Sequence, residues 1–551
     1  MADNANISTA RKFGRFPSVW TIAAALVAGL VILPILVVIY LAFFPTENIW
    51  PHLLSTTLPR YLGNSLIMMG AVGALSALIG VSTAWFIVTK DFPMRRTLEW
   101  SLFFPLAVPA YIGAYAFVDF WEYAGPVQTQ LRDWFGWQTS RDYYFPQVRA
   151  RGAAVLVIAL SLYPYVYLLA RTAFRDQSSR TLEVARALGV GPRGVFFRVA
   201  LPLARPAIAI GVSLVMMETL NDFGAVEFFA VQTLTTGVFT VWLEASNVGG
   251  AAQISGVILA LLTGLLFLER RSRNKMKVHQ RHTQMIPPSR EKLRGGAALL
   301  VMGVCALPVI LGFIMPSLIM LSHALHVPEI WQGREFRGAI STSLWVSLSA
   351  ALLTVGAAVI LVYAVRMSRS NLARKLAPIS TIGYAAPGAV LAVGILIPMA
   401  ALDHRIADIF QTLWNVEIGL LITGSAGAVI FAYFVRFFAL AYGSVDSAMG
   451  RYSPNIGWAA RSLGKTPAAV LRRVHLPLIH RSLLIAVLLV FVDSIKELPA
   501  TLLLRPFGFE TLATQIYNAA SLEDINGASA ASIVVILVGM LAVAVLARAS
   551  R

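Results

Sequence analysis

The chain has 551 residues, of which 57% are apolar and 13% charged, about half the ~25% charge usual for a soluble domain. Mean hydropathy is +0.71. That composition excludes both a soluble domain and a disordered chain and leaves an all-α polytopic membrane protein. At about 20 apolar residues per helical crossing, the length holds roughly a dozen crossings. The net charge of +18 is read as basic cytoplasmic loops rather than a nucleic-acid surface, so no nucleic-acid partner is expected. The single cysteine, Cys305, excludes an internal disulfide framework and any Cys-based metal cluster.

Twelve apolar segments follow one another near 20–43, 62–88, 98–119, 153–170, 206–228, 252–268, 296–321, 340–365, 376–401, 418–443, 482–503 and 530–547. The first follows Arg11, Lys12 and Arg15, but it is too long for a signal core and is taken as a retained span. With the N-terminus inside, 34 of the 45 Lys and Arg fall in the two termini and the even-numbered loops, and 9 in the odd-numbered loops. The positive-inside bias therefore predicts both termini in the cytoplasm. The expected organisation is an N-terminal tail over 1–19, a first half over 20–268, a linker over 269–295 and a second half over 296–551. Arg270, Arg271, Arg273, Lys275, Lys277, Arg281, Arg290, Lys292 and Arg294 make the linker strongly basic. It reads as a solvated cytoplasmic hinge near anionic lipid.

Displacing the chain by 275 residues superposes 185–203 on 460–478 with 11 of 19 positions identical. Farther upstream, at displacement 278, Ser65 faces Ser343 and Pro109 faces Pro387. The chain is therefore read as two homologous six-span halves in the same orientation. The strongest copy is a soluble loop, about 176–204 and 451–479, not a span. That points to two equivalent docking elements. Gly189 and Gly464 suit a helix C-cap or sharp turn, and Pro192 and Pro467 suit the first turn of a new helix. Leu201-Pro202 and Leu476-Pro477 are expected to end that short helix before the next span.

Two false fingerprints lie in these loops. Gly189-x-Gly191-x-x-Gly194 follows no strand and contains Pro192, and Gly464-Lys465-Thr466 lacks the first glycine of a phosphate loop. No nucleotide site is visible, so this chain is not expected to be an enzyme.

Glu183-Val184-Ala185, Gly189 and Val199-Ala200-Leu201-Pro202 resemble the E-A-A-x3-G-x9-I-x-L-P loop of ABC importer permeases, and Ala459-Ala460, Gly464 and Val474-His475-Leu476-Pro477 resemble it again. The resemblance implies a type I ABC importer permease fold in a bacterial inner membrane. It also implies that each loop is a coupling helix seated on a cytoplasmic ABC ATPase. Two copies of that ATPase, a periplasmic substrate-binding protein and membrane lipid are the partners implied. ATP and Mg would be held by the ATPase, and no cofactor by this chain. One departure stands out: the Glu183 of the first copy is Trp458 in the second.

Ionisable groups inside a span cost about 2.5–3.5 kcal/mol each, so each needs a reason. Glu218 faces Asp493 and Asp222 faces Glu497 at displacement 275. Each pair is spaced i, i+4, which predicts one acidic helix face per half. Two readings stand side by side: a path for a cation, or a structural role in which the acids pair with Lys496 and Arg436 or lie at a wet helix end. The stretches ETLNDFGAVEFFAVQTLTTGVFTVW (218–242) and KELPATLLLRPFGFETLATQIY (496–517) are similar to the fused ferric-iron importer permeases. Fe(III) is thus the substrate the resemblance implies, with thiamine, phosphonate or polyamine as alternatives within the class. A proton-coupled carrier of two parallel halves is the alternative from another class; it has no use for paired docking loops. His323 and His326, spaced i, i+3, are read as interfacial, and no metal site is assigned.

Overall fold

The computed structural model describes residues 19–549 apart from 46, 178–182, 186, 275–289, 368–370, 382, 384–385 and 418. Arg11, Lys12 and Arg15, Arg186 of the first repeat copy, and Lys275, Lys277 and Arg281 of the linker lie outside the described residues. Among the described residues, eleven helices are long and apolar enough to cross a membrane, and the count is twelve when one bent pair of helices is taken as a single span. The first half contributes Val19–Phe43, Leu58–Thr89, the bent pair Arg95–Ala107 with Ala110–Phe135, Arg151–Arg175, Pro192–Asn221 and Val248–Glu269. The second contributes Gly295–His326, Arg334–Met367, Gly388–Trp414, Gly427–Gly450, Pro467–Ile495 and Ile525–Val545.

The repeated prolines explain where the observed spans depart from the apolar windows. The third window, 98–119, is not one helix: it bends by 93° at Val108-Pro109. The ninth is not 376–401. A short helix, Asn371–Ser380, stops, and a new one starts after Pro387 and runs to Trp414. The tenth lies correspondingly later, at Gly427–Gly450. A hydropathy window averages over such breaks, whereas proline removes a backbone donor and bends the chain.

The halves interlock. Val19–Phe43 packs against Arg334–Met367, Asn371–Ser380 and Gly388–Trp414 of the second half. Gly295–His326 packs against Leu58–Thr89, Ala110–Trp121 and Arg151–Arg175 of the first. The linker is less free than expected at its far end. Glu291–Lys292 forms a short parallel β-bridge with Lys90–Asp91, Lys90 pairs with Glu291, and the Leu293 amide donates to the Asp91 carbonyl at 2.9 Å.

The repeat extends to hydrogen bonds. The Leu234 amide donates to Ser65 Oγ at 2.9 Å, and at displacement 278 the Leu512 amide donates to Ser343 Oγ at 2.7 Å. Thr233 with Thr236, and Thr511 with Thr514, form matching capping boxes on the helices that follow.

At the end of the bundle opposite the repeated loops, polar side chains join the halves. Arg149 donates to Glu122 at 3.0 Å and to Glu523 of the second half at 2.8 Å. His323 lies between Asp119 of the first half and Asn526, 2.8 Å from each. The nearby loop holds Asp142, whose carboxylate accepts the amides of Thr139 and Gln138 at 2.8 Å. Those two donors hold its pKa below the ordinary aspartate value.

Candidate functional site: two docking loops and a central acidic cavity

The two repeated loops make the same turn at their glycines. Gly189 and Gly464 take φ of +82° and +79°, the left-handed conformation that favours glycine. One residue on, the Val190 amide reaches back to the Ala185 carbonyl at 3.1 Å, and the Lys465 amide to the Ala460 carbonyl at 3.2 Å. This six-to-one closure is the Schellman ending of a helix. The closing carbonyls are those of the repeated Ala185 and Ala460. Pro192 and Pro467 then open the next helix as expected.

The expected break at Leu-Pro is absent. The helix runs on from Pro192 to Asn221 and from Pro467 to Ile495. Before each Leu-Pro the backbone widens into a π segment, Val195–Ala200 and Leu471–His475. There the Leu201 amide donates to the Phe196 carbonyl and the Leu476 amide to the Leu471 carbonyl. The wide turn changes the hydrogen-bond register just before the residue that has no donor, so the helix passes through Pro202 and Pro477 unbroken. Each loop presents apolar side chains to solvent: Val184 and Leu188 in the first copy, Ile456, Trp458 and Leu463 in the second. Glu183 and Ala459 are exposed as well.

The four carboxylates converge. Glu218, Asp222, Asp493 and Glu497 line one cavity of about 200 Å³ between the halves, together with Arg436 and Lys496. The predicted helix-face arrangement, however, is not what brings them there. The spans end at Asn221 and Ile495, so the second acid of each pair lies past the helix. Asp222 Oδ1 accepts the amides of Ala225 and Val226 at 3.0 and 3.1 Å. Glu497 accepts the amides of Ala500 and Thr501 at 3.0 and 3.1 Å. These four donors correspond one to one at displacement 275. Each acid thus satisfies the open amides of a short helix, Gly224–Phe228 or Pro499–Leu504.

The pairing reading of the acids holds in part. Arg436 Nη1 donates to Glu497 Oε1 at 3.3 Å, as the pairing reading expects. Lys496 does otherwise: its Nζ donates to the Leu106 carbonyl of the first half at 3.0 Å. In the cavity wall, Tyr111 Oη and Asn221 Oδ1 are buried without a protein hydrogen-bond partner. Gly388 passes so close that a Cβ there would lie 2.3 Å from Glu497 Oε1 and 2.6 Å from Arg436 Nη1. Residue-by-residue reading missed Gly388, Tyr111 and Leu106. The repeated Pro109 and Pro387 were the available signal, since Pro109 precedes the helix that lines the cavity and Pro387 precedes Gly388, which packs against Glu497 and Arg436. Among the described residues no group of three or more His, Cys, Asp or Glu is arranged to hold a metal ion.

Two interlocked halves thus carry matched turns in the repeated loops and enclose a polar cavity between them. Residues 76–271 match the family described as binding-protein-dependent transport system inner membrane component. It is 27% identical to the Fe(3+)-transport system permease protein FbpB 2 of Haemophilus influenzae, over 84% of both chains. It is 29% identical to the molybdenum transport system permease protein ModB of Escherichia coli, over 33% of this chain and 79% of that protein.

Proposed function

We propose that this chain is the permease of a ferric-iron importer, carrying substrate from the periplasm to the cytoplasm across a bacterial inner membrane. The observation that carries the reading is the central cavity, where both halves contribute two carboxylates to one wall. The Fe(3+)-transport relative, matched over 84% of its length, points to the same cation. An oxyanion cargo fits the cavity less well, because Arg436 is engaged by Glu497 and Lys496 by a carbonyl.

In this reading a loaded binding protein docks on the outer end. Two copies of a separate ATPase bind the two loops on the cytoplasmic side, where both termini lie, and hold the ATP and Mg. Closure of the ATPase pair draws the loops together through the rigid continuous helices Pro192–Asn221 and Pro467–Ile495. The same helices end at the cavity, so movement at the loops is delivered to its acidic turns. The outer contacts of Arg149 and His323 then part, and the cavity opens outward. Hydrolysis returns it inward.

The test is uptake by the chain reconstituted in vesicles with its ATPase and binding protein. Radio-iron should accumulate only with ATP and the binding protein, while thiamine, phosphonate and polyamine should not. ATP-dependent accumulation of one of those instead of iron would overturn the substrate and leave the class standing.

A further inference from the structure

An ionised side chain buried at membrane depth costs about 2.5–3.5 kcal/mol, so Lys496, one residue past the span that ends at Ile495, requires an explanation. The turn it precedes does not supply one. Glu497 caps the following helix just as Asp222 does, and the residue before Asp222 is the neutral Asn221. The ammonium is therefore surplus to the repeated architecture. Its contact also differs from the others at the cavity. Arg436 with Glu497 lies within the second half, and the Asp222 turn lies within the first. Lys496 instead crosses between them, 3.0 Å from the carbonyl of Leu106. Leu106 sits in the turn Phe104–Ala107, just before the 93° bend at Val108-Pro109. Both residues line the cavity, beside Asp493 and Glu218.

The geometry points to Lys496 as a tether that holds the central cavity closed between the halves, and as a built-in cation that occupies the acidic wall until a cationic substrate displaces it. The tether follows from the contact alone, whereas the displacement rests on the cationic reading above. An arriving cation is attracted by the carboxylates that share the cavity with Lys496 and repels the ammonium. Once Lys496 lets go of Leu106, no charged hydrogen bond opposes separation of the two halves at that point. Lys496 is a positioning residue for transport in this account, and it need not touch the substrate.

The experiment uses the full complex with its ATPase and binding protein in lipid vesicles. The natural thiol is removed by Cys305→Ser, and Leu162→Cys places a reporter in the cavity wall. The readouts are labelling by a membrane-impermeant thiol reagent from the outer side and ATP hydrolysis without binding protein. Lys496→Met keeps the stem and removes the donor. It should raise labelling and basal hydrolysis by about tenfold, the worth of a hydrogen bond to a charged group. Lys496→Arg, which keeps a charged donor, should stay near the parent. If Lys496→Met does not assemble, Lys496→Leu, which also lacks a donor, against Lys496→Arg makes the same comparison. Parent-like labelling in the charge-free variant overturns the tether. Failure of the iron-loaded binding protein to raise labelling in the parent overturns the displacement. Strong Lys496 effects in a complex that takes up no radio-iron leave the tether intact and refute the substrate.

Discussion

The turns at Asp222 and Glu497 share a backbone and differ in charge. Both acids satisfy amides three and four residues ahead, at 3.0–3.1 Å. Glu497 takes up three further donors or charges: the Thr501 hydroxyl at 2.9 Å, the Arg436 guanidinium at 3.3 Å, and, through Thr501, the Tyr433 hydroxyl. Among the described residues, Asp222 accepts these two backbone amides and no side-chain donor. The duplicated feature is thus the helix cap, and the ionic network was built onto one copy of it. An intramembrane acid that looks like a transport ligand in sequence can be required first by the backbone.

The largest expected effect separates these two roles. Glu497→Ala removes the cap and strands Arg436, whose partner was a side chain that is 1% exposed. Breaking a buried pair in this way costs about 3–5 kcal/mol. Asp222→Ala removes a cap alone, worth about 1 kcal/mol. Denaturant unfolding of the detergent-purified chain measures both. A double-mutant cycle with Arg436→Met should return a coupling of about 0.5–3 kcal/mol to Glu497 and none to Asp222. Equal losses at the two acids would erase the distinction between them.

The sequence carried the docking loops because their requirements are local. A left-handed glycine, a closing alanine and a helix-opening proline occupy fixed offsets, and all recur at displacement 275. The gathering of four acids in one cavity was legible for a similar reason, through the repeat. What was not legible depends on backbone register and on distant partners. The i, i+4 spacing implied a continuous helix through Asp222 and Glu497, but the chain leaves the helix at Asn221 and Ile495. Nothing local to Lys496 names a carbonyl 390 positions away. The unbroken passage through Pro202 and Pro477 depends on a π turn, and side-chain periodicity does not report one.

A smaller effect should come from the glycine beneath the network. Gly388 corresponds to Ala110 at displacement 278, so the first half tolerates a Cβ where the second does not. The added atom would fall 2.3 Å from Glu497 Oε1 and 2.9 Å from the Ala500 amide nitrogen. Gly388→Ala must therefore push the carboxylate off its amides or move the helix, at about 1–3 kcal/mol. Ala110→Gly adds no atom and should cost no more than about 1 kcal/mol of backbone entropy. Thermal unfolding of the two variants side by side checks the ordering. A Gly388→Ala variant as stable as the parent would mean that the Arg436 contact is not a fixed part of the second turn.

The smallest expected effect lies at the docking loops, where backbone identity is greatest and the exposed chemistry differs. Glu183 presents a carboxylate to solvent. At the corresponding place Trp458 presents an indole, with the Arg461 guanidinium 5.5 Å from its ring. An ATPase contact at the first loop that uses the carboxylate is weakened as salt shortens the screening length from about 10 Å at 0.1 M to about 3 Å at 1 M. A contact made by the indole and its apolar neighbours is strengthened or unchanged. Crosslinking from single cysteines at 188 and 463, at low and high salt, reads each loop separately within one complex. Yield at 188 should fall with salt, by no more than about fivefold for an exposed pair, and yield at 463 should hold. Glu183→Gln should abolish the fall at 188 without affecting 463. Parallel salt curves at the two loops would show that the substitution of Trp for Glu leaves the docking chemistry of the halves the same.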